Sequence, residues 1–315
     1  MSEISAVALR CEYKYDPLGI DVLHPRLSWQ CSGEGRNLVQ SAYQIVVAES
    51  EPALAAGPYL WDTGKVASDS SIHHAYAGAL LTSGQQCFWR VRVWDGDGQP
   101  SPWSHTAQWE MGLMQTSPQQ ARWIGVPWEE DTSRSQPAPY LRTEFDVPQI
   151  TGGFADGSSA SPALSARLYV TSLGLYSATI NGQAVTENLF TPGWTSRHRL
   201  QYQTYDVTDL LVPGTNAIGV KLGDGWLRGN LGFIVARNTF GDRLGLLLRL
   251  EIRYAGGSVQ VLTSDESWTA ATGPILQSDL YNGEIYDARL EQDGWDQPGF
   301  SGEWQPVRLI DPPAA

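Results

Sequence analysis

Three short segments in the second half of the chain combine glycine, aromatic rings and oxygen-bearing side chains in a pattern typical of a ligand site. They are Gly193-Trp194-Thr195, the run Tyr202–Leu211 and Gly223-Asp224-Gly225-Trp226. Glycine lets the backbone approach a ligand closely, and an indole ring offers a flat apolar face. A neighbouring Asp or Asn supplies hydrogen bonds or a metal ligand, so the combination suits a sugar. The alternative is that the Trp rings pack in the core and the Asp-Gly pairs form turns.

A second group of reactive side chains lies near the C-terminus, where Asp279, Glu284, Asp287 and Arg289 fall within eleven residues. A glycosidase needs two carboxylates about 5–10 Å apart across the bond that it cleaves. In a strand, Glu284 and Asp287 would face opposite sides, which places them poorly as a catalytic pair. The pattern therefore favours an ion pair of Arg289 with Asp287 or Glu284 over an independent hydrolase.

The sequence contains no other specific catalytic motif. Its five histidines form no HExxH, there is no CxxC or Cys/His cluster, and GxSxG, GxGxxG and GxxxxGK[ST] are all missing. Zinc, nucleophile-elbow and phosphate-loop chemistry are therefore not indicated. Calcium takes oxygen ligands from loops without a fixed spacing, so a calcium ion or a sugar is the more plausible ligand. The oxygen-bearing residues that flank turns in this region are Glu187, Asn188, Asp224, Asn230, Asn238 and Asp242.

Charge and composition narrow the choice of partner. The chain has 21 Lys plus Arg against 34 Asp plus Glu, a net charge of −13. This balance argues against nucleic acid, whose phosphates need a basic surface, and against anionic membranes. The N-terminal residues lack the pattern of a signal peptide, and Cys11, Cys31 and Cys87 cannot all pair within one chain. We therefore expect a cytoplasmic protein with reduced thiols.

The elements that must position these residues read as short strands. The chain has 32 Gly and 19 Pro in 315 residues, as expected for strands joined by turns. Residues 1–112 predict a first β-sandwich, in which the segment Cys87–Trp94 places Trp89, Val91 and Val93 on one face. The only helical candidate is Glu51–Ala56.

The second half predicts a larger sandwich. Residues 113–139 are predicted to be a linker, and the Gly/Ser-rich stretch 151–165 a mobile loop. Residues 140–312 predict about ten strands in a jelly-roll arrangement. Within them, Asn181-Gly182 indicates a type I′ hairpin, and Leu246 to Tyr254 alternate between apolar and polar.

Ordered motifs over nearly the whole chain resemble the N-terminal region of bacterial α-L-rhamnosidases of glycoside hydrolase family 78. The first 112 residues resemble the fibronectin type III-like domain of those enzymes, and the second half resembles the domain that follows it. The motifs are Pro25-Arg-Leu-Ser-Trp29, Trp61-Asp-Thr-Gly-Lys-Val66, Trp89-Arg-Val-Arg-Val-Trp-Asp95, Ile180-Asn-Gly182, Pro192-Gly-Trp-Thr195, Leu222-Gly-Asp-Gly-Trp226 and Gly283-Glu-Ile-Tyr-Asp-Ala-Arg289.

The resemblance implies an accessory role. Those enzymes hydrolyse terminal non-reducing α-L-rhamnosyl residues with inversion, using carboxylates in an (α/α)₆ barrel, and no barrel segment is present in this sequence. The resemblance also implies that the second domain binds L-rhamnose, in some members through calcium. The positions that it assigns to sugar binding are Glu187, Asn188, Trp194, Asp224, Trp226, Asn230 and Asn238.

From these observations we expect an all-β chain of two sandwiches that recognises a rhamnose-containing glycan or supports a catalytic domain. No catalytic residue is assigned, no cofactor is required, and calcium in the second domain is the one metal considered. The expected partners are the glycan and the C-terminal catalytic domains of the parent enzyme. The alternative is a purely structural scaffold or protein-interaction module that binds no sugar.

Overall fold

The computed structural model describes residues 4–114, 121–148, 163–193, 199–232, 236–255 and 257–311. The chain divides into two compact units, residues 1–116 and 117–315. Strands account for 44% of the residues and helices for 6%, so the all-β prediction is confirmed. No helix in the described ranges is long and apolar enough to cross a membrane.

The first unit consists of two antiparallel sheets that enclose one core. The orders are β1-β2-β6 and β4-β3-β7-β8, with β5 also paired to β3. Residues from both sheets, among them Leu9, Trp29, Ile45 and Trp89, form one buried cluster. Its elements are β1 (Ile4–Cys11), β2 (Arg26–Gly33), β3 (Ala42–Ala48), α1 (Glu51–Ala56), β4 (Trp61–Asp62), β5 (Val66–Ala67), β6 (His74–Ala75), β7 (Gln86–Trp94) and β8 (Ala107–Glu110).

Two predictions about this unit are confirmed. In β7, Trp89, Val91 and Val93 are buried, whereas the intervening residues Phe88, Arg90 and Arg92 are only partly buried. Helix α1 has the predicted bounds because its ends are marked locally. The Ser50 hydroxyl accepts a hydrogen bond from the backbone N–H of Ala53, and Gly57 ends the helix with φ +82°.

The second unit is a larger sandwich with a separate hairpin. Its elements are β9 (Ile124–Gly125), β10 (Pro139–Val147), β11 (Ala163–Leu173), β12 (Leu175–Ile180), β13 (Gln183–Ala184), β14 (Gln203–Asp206), β15 (Gly214–Gly223), α2 (Gly225–Arg228), β16 (Gly245–Tyr254), β17 (Val259–Thr263), β18 (Thr269–Thr272), β19 (Ile275–Asp279), β20 (Gly283–Tyr286), β21 (Gln305–Pro306) and β22 (Arg308–Leu309). Short 3₁₀ turns lie at Thr208–Leu210 and Ala288–Leu290.

Two sheets of this unit enclose its core. One has the order β13-β12-β15-β10-β18-β21, and the other has β14-β11-β16-β9-β22 with β17 paired to β16. The long antiparallel pairs β10–β15 and β11–β16 are the centres of the two sheets. The predicted alternation in β16 is confirmed, since Leu246, Leu248, Leu250, Ile252 and Tyr254 are all buried.

The segment predicted to be a linker is largely part of the second unit, which begins at residue 117. Strand β9, within that segment, pairs with β16 and β22 because Ile124 is fully buried in the core. Residues 115–120 and 149–162 lie outside the described residues, and with them most of the stretch predicted to be a mobile loop. Ala163–Ser165, the end of that stretch, begins β11. The jelly-roll connectivity stays a prediction.

One turn and one strand position show why particular glycines are required. Asn181 and Gly182 adopt φ +52° and +78° and join β12 to β13, which confirms the predicted hairpin. In β15, a Cβ on Gly219 would meet ring atoms of Trp295 at 2.6 and 2.7 Å. Trp295 is buried and packs on Tyr140 at a ring-centroid distance of 4.8 Å. The missing side chain at Gly219 therefore makes room for an indole.

We expect Gly219→Ala to destabilise the second unit by about 1–3 kcal/mol, because the Trp295 ring must move out of a filled site. Chemical denaturation followed by tryptophan fluorescence measures the change. Gly96→Ala is the matched control, since a Cβ there would meet nothing within 4 Å. Equal stability of the two variants would contradict this account of Gly219.

Candidate functional site

The carboxylate of Asp224 lies where β15 ends and α2 begins, and it is almost completely buried. Its Oδ1 accepts a hydrogen bond from Arg228 Nε at 2.5 Å, and its Oδ2 accepts one from Arg237 Nη2 at 3.1 Å. Asp224 was predicted to bind sugar, but both of its carboxylate oxygens already accept hydrogen bonds from guanidinium groups.

Arg228 extends this ion pair to a distant part of the chain. Its side chain is 1% exposed, and its Nη1 donates to Glu130 Oε2 at 2.8 Å. Burial alone would lower the pKa of Arg228, but Glu130 and Asp224 outweigh it and raise that pKa. The guanidinium consequently stays charged, as a buried ion in contact with two carboxylates should.

Asp279 closes the network from the end of β19. Its Oδ2 accepts from the backbone N–H and side-chain amide of Asn230 at 2.8 and 3.2 Å, and it lies 3.5 Å from Arg237 Nη1. Its Oδ1 accepts from the backbone N–H groups of Tyr281 and Asn282, both at 2.9 Å. Burial alone would raise the pKa of Asp279. These backbone donors and Arg237 outweigh burial and lower it.

The predicted residues Asn230 and Asn238 belong to the same network. Asn238 donates from its backbone N–H to Arg228 O and from Nδ2 to Thr132 O, at 3.2 and 2.9 Å. The Oδ1 atoms of Asn230 and Asn238 are buried and accept no hydrogen bond from the protein. The carboxamide oxygens of Asn230 and Asn238 can therefore still accept a hydrogen bond, whereas each carboxylate oxygen of Asp224 and Asp279 already accepts one.

An exposed aromatic pair lies on the same unit. Trp226, in α2, is half-buried, and its ring meets Phe190 edge-on at a centroid distance of 6.1 Å. Phe190 is 56% exposed. Glu187 and Asn188 are exposed on the same stretch as Phe190, between β13 and β14. This stretch offers a ring face and polar groups that solvent can reach.

The structure thus separates the predicted sugar-binding residues into two sets. Asp224, Asn230 and Asn238 lie in the buried network, whereas Glu187 and Asn188 lie on an exposed stretch and Trp226 packs on Phe190. Trp194 lies outside the described residues. Sugar binding by these residues stays a prediction. Sequence reasoning missed Glu130, Arg228, Arg237 and the ring of Phe190. It grouped Asp279 with Glu284 and Asp287, whereas the structure places Asp279 with Asn230 and Arg237.

These residues do not fit a calcium ion well. The Asp224 carboxylate is held between two guanidinium groups, which repel a cation and occupy its oxygens. Among the described residues, no group of three or more His, Cys, Asp and Glu is placed to hold a metal. Calcium in this unit therefore stays a prediction without a built carboxylate site.

Near the C-terminus, Asp287 forms an ion pair with Arg289, as the sequence favoured. Arg289 donates from Nε to Asp287 Oδ1 at 2.8 Å and from Nη2 to Oδ2 at 2.5 Å. The hydrogen bond from Arg289 lowers the pKa of Asp287. Asp287 also accepts from the backbone N–H of Arg289 and so caps the 3₁₀ turn that follows β20. Glu284 lies exposed within β20.

Two family comparisons match most of the chain. Residues 6–115 match the family described as "Rha78A-like, N-terminal immunoglobulin domain", and residues 161–315 match "Alpha-L-rhamnosidase N-terminal domain". These matches confirm the resemblance of both halves of the sequence.

Individual relatives agree with these matches. An α-L-rhamnosidase of Formosa agariphila is 36% identical over 305 residues, which is 94% of this chain and 32% of the relative. The crystal structure of the Aspergillus terreus α-L-rhamnosidase is similar with a TM-score of 0.87 at 36% identity, over 98% of this chain and 34% of that one. The Streptomyces avermitilis α-L-rhamnosidase, solved with L-rhamnose, gives 0.83 at 30% identity, over 98% and 45%. The chain therefore spans between a third and a half of the length of these proteins.

We expect Asp224→Asn to destabilise the second unit by about 3–5 kcal/mol, because it leaves two buried guanidinium groups without their shared carboxylate. Urea unfolding at neutral pH measures the loss. The control is Glu266→Gln, which removes a surface pair with Arg122 in which both side chains are more than half exposed. That change should cost at most about 1 kcal/mol. Similar losses in the two variants would contradict a buried network.

The free energy of unfolding should depend on the ionisation of Asp279. Because the folded-state pKa of Asp279 is lowered, its contribution is complete above its unfolded pKa of about 3.9 and is lost as the pH falls through the folded value. We expect the stability difference between wild type and Asp279→Asn to be larger at pH 7 than at pH 3. Urea unfolding at the two pH values measures it, and a pH-independent difference would refute the assignment.

Proposed function

Because this chain belongs to the N-terminal-domain family of α-L-rhamnosidases, we propose that it is a non-catalytic accessory region of such an enzyme. The parent polypeptide would hydrolyse terminal non-reducing α-L-rhamnosyl residues of glycosides, and this chain would support the part that performs the chemistry. The observation that carries the proposal is the use of its clustered carboxylates as internal ion-pair partners.

Glycoside hydrolysis requires one carboxyl group that gives a proton and a second that acts as base or nucleophile. Asp224 and Asp279 have every carboxylate oxygen bonded to guanidinium or amide donors. Asp287 is held by Arg289, with its pKa lowered, so it is a poor proton donor at neutral pH. These groups stabilise the fold and leave the acid and base to another part of the polypeptide.

Sugar recognition is a second candidate function, favoured by the aromatic pair Phe190 and Trp226. The exposed ring of Phe190 is suited to stack on the apolar face of a sugar, and the exposed Asn188, two residues before it in the chain, is of a type that bonds sugar hydroxyl groups. The relative from Streptomyces avermitilis was solved with L-rhamnose, which supports a rhamnosyl group as the ligand to test first.

We expect the isolated 315-residue chain to release no 4-nitrophenol from 4-nitrophenyl α-L-rhamnoside, because the carboxylates of Asp224, Asp279 and Asp287 are already bound by guanidinium or amide donors. The measurement is absorbance over several hours at high protein concentration, with a full-length α-L-rhamnosidase as positive control. Turnover that Glu284→Gln or Asp287→Asn abolishes would refute the proposal and establish an independent hydrolase.

If the chain only supports the catalytic part and binds no sugar, calorimetric titration with millimolar L-rhamnose should give no saturable heat, whether calcium or a chelator is present. Saturable heat that is lost in Trp226→Ala but kept in Tyr59→Ala would establish the second candidate function instead. Tyr59 is a matched control because it is a partly exposed aromatic residue of the first unit, 38% exposed. Dependence of that heat on calcium would also show that a metal takes part.

A further inference from the structure

The hairpin of β19 and β20 differs from every other strand pair in the second unit. It forms a two-stranded sheet of its own, separate from the two large sheets. All four residues of β20 are exposed. Among the described residues, the outer edge of β20 has no partner strand. The hairpin therefore presents both a side-chain surface and a free strand edge to its surroundings.

Large apolar side chains are concentrated on this hairpin and the turn after it. Tyr281 is 62% exposed, Ile285 53%, Tyr286 50% and Leu290 46%. Single exposed apolar residues are normal on a protein surface, whereas several on one hairpin favour an interaction site. The exposed residues Arg289 and Glu284 supply polar groups next to these apolar residues in the chain, of the kind found at the rim of a protein interface.

The hairpin is also held firmly at its base. Asp279, at the end of β19, is bound by four amide donors and Arg237 as described above. Pro274 O accepts from Asp287 N at 2.9 Å, and Ile275 O accepts from Ala138 N at 2.9 Å. The buried charge network therefore fixes the hairpin before any partner binds, so little conformational entropy remains to be lost on association.

We propose that this hairpin is the surface on which the catalytic part of the parent rhamnosidase docks. This inference rests on the proposed function and adds which surface of the chain contacts the catalytic part. The relatives supply the argument for this occupant, since between 55% and 68% of each lies outside the region that this chain matches. The hairpin lies within the matched N-terminal domain. A second copy of the chain is a poorer occupant, because each copy carries a net charge of −13.

The test replaces the matched third of the Aspergillus terreus enzyme with this chain and compares Ile285→Lys with Val259→Lys. Val259 is a matched control, because it is a β-branched residue in another hairpin of the same unit and is 47% exposed. In the isolated chain, both changes should leave the unfolding midpoint within about 1–2 °C of wild type. In the fusion, Ile285→Lys should lower the midpoint of thermal inactivation by about 4 °C or more, and Val259→Lys should not.

A second measurement does not depend on a substitution. Backbone amides of residues 280–290 should exchange hydrogen at least about tenfold more slowly in the fusion than in the isolated chain, because docking excludes water from them. Equal exchange rates together with equal midpoints for the two variants would overturn the docking site.

Two further outcomes separate the alternatives. If the isolated chain hydrolyses the aryl rhamnoside, the proposed function fails. If it is inactive, and the fusion shows neither the slower exchange nor the effect of Ile285→Lys, only the docking site fails. Sedimentation of the isolated chain tests the second copy. A dimer that Ile285→Lys dissociates would overturn the proposed occupant.

Discussion

A carboxylate buried between two arginines is the interaction on which the second unit depends. Removing an ion from water costs several kcal/mol, and only close partners of opposite charge compensate for it. Asp224 can therefore be buried only if Arg228 and Arg237 both reach it, and Arg228 in turn requires Glu130. This requirement brings together α2, the loop before β16 and the segment before β10.

The same requirement determines what the surface can do. Asp279 is bonded within the network and anchors the hairpin, so the apolar side chains of β20 are presented from a rigid base. Trp226 is only half-buried although it lies two residues after the buried Asp224, and its ring meets the exposed Phe190. The carboxylates of Asp224 and Asp279 are bonded within the network, whereas the exposed surface of the hairpin carries apolar side chains.

Local features of the structure follow from the sequence because their causes lie within a few residues. Ser50 and Gly57 mark the ends of α1, and Asn181-Gly182 adopts the positive φ angles that a tight hairpin needs. The alternation in β7 and β16 reports which face is buried, since successive side chains point to opposite sides of a strand. The Asp287–Arg289 ion pair is equally local.

The candidate site shows what the sequence alone did not determine. Asp224 and Asn230 were identified as ligand residues from their types and turn positions, but the network that holds them joins distant segments. Asp279, which binds Asn230, lies 49 residues from it, and Glu130, which binds Arg228, lies 98 residues from that arginine. Only the i, i+4 spacing of Asp224 and Arg228 gave a local signal. The sequence determined the strands, turns and family of this protein, because periodicity and turn chemistry are short-range. The tertiary structure decided which carboxylates are buried and paired, because ion pairing depends on distances in space between segments that the sequence keeps far apart.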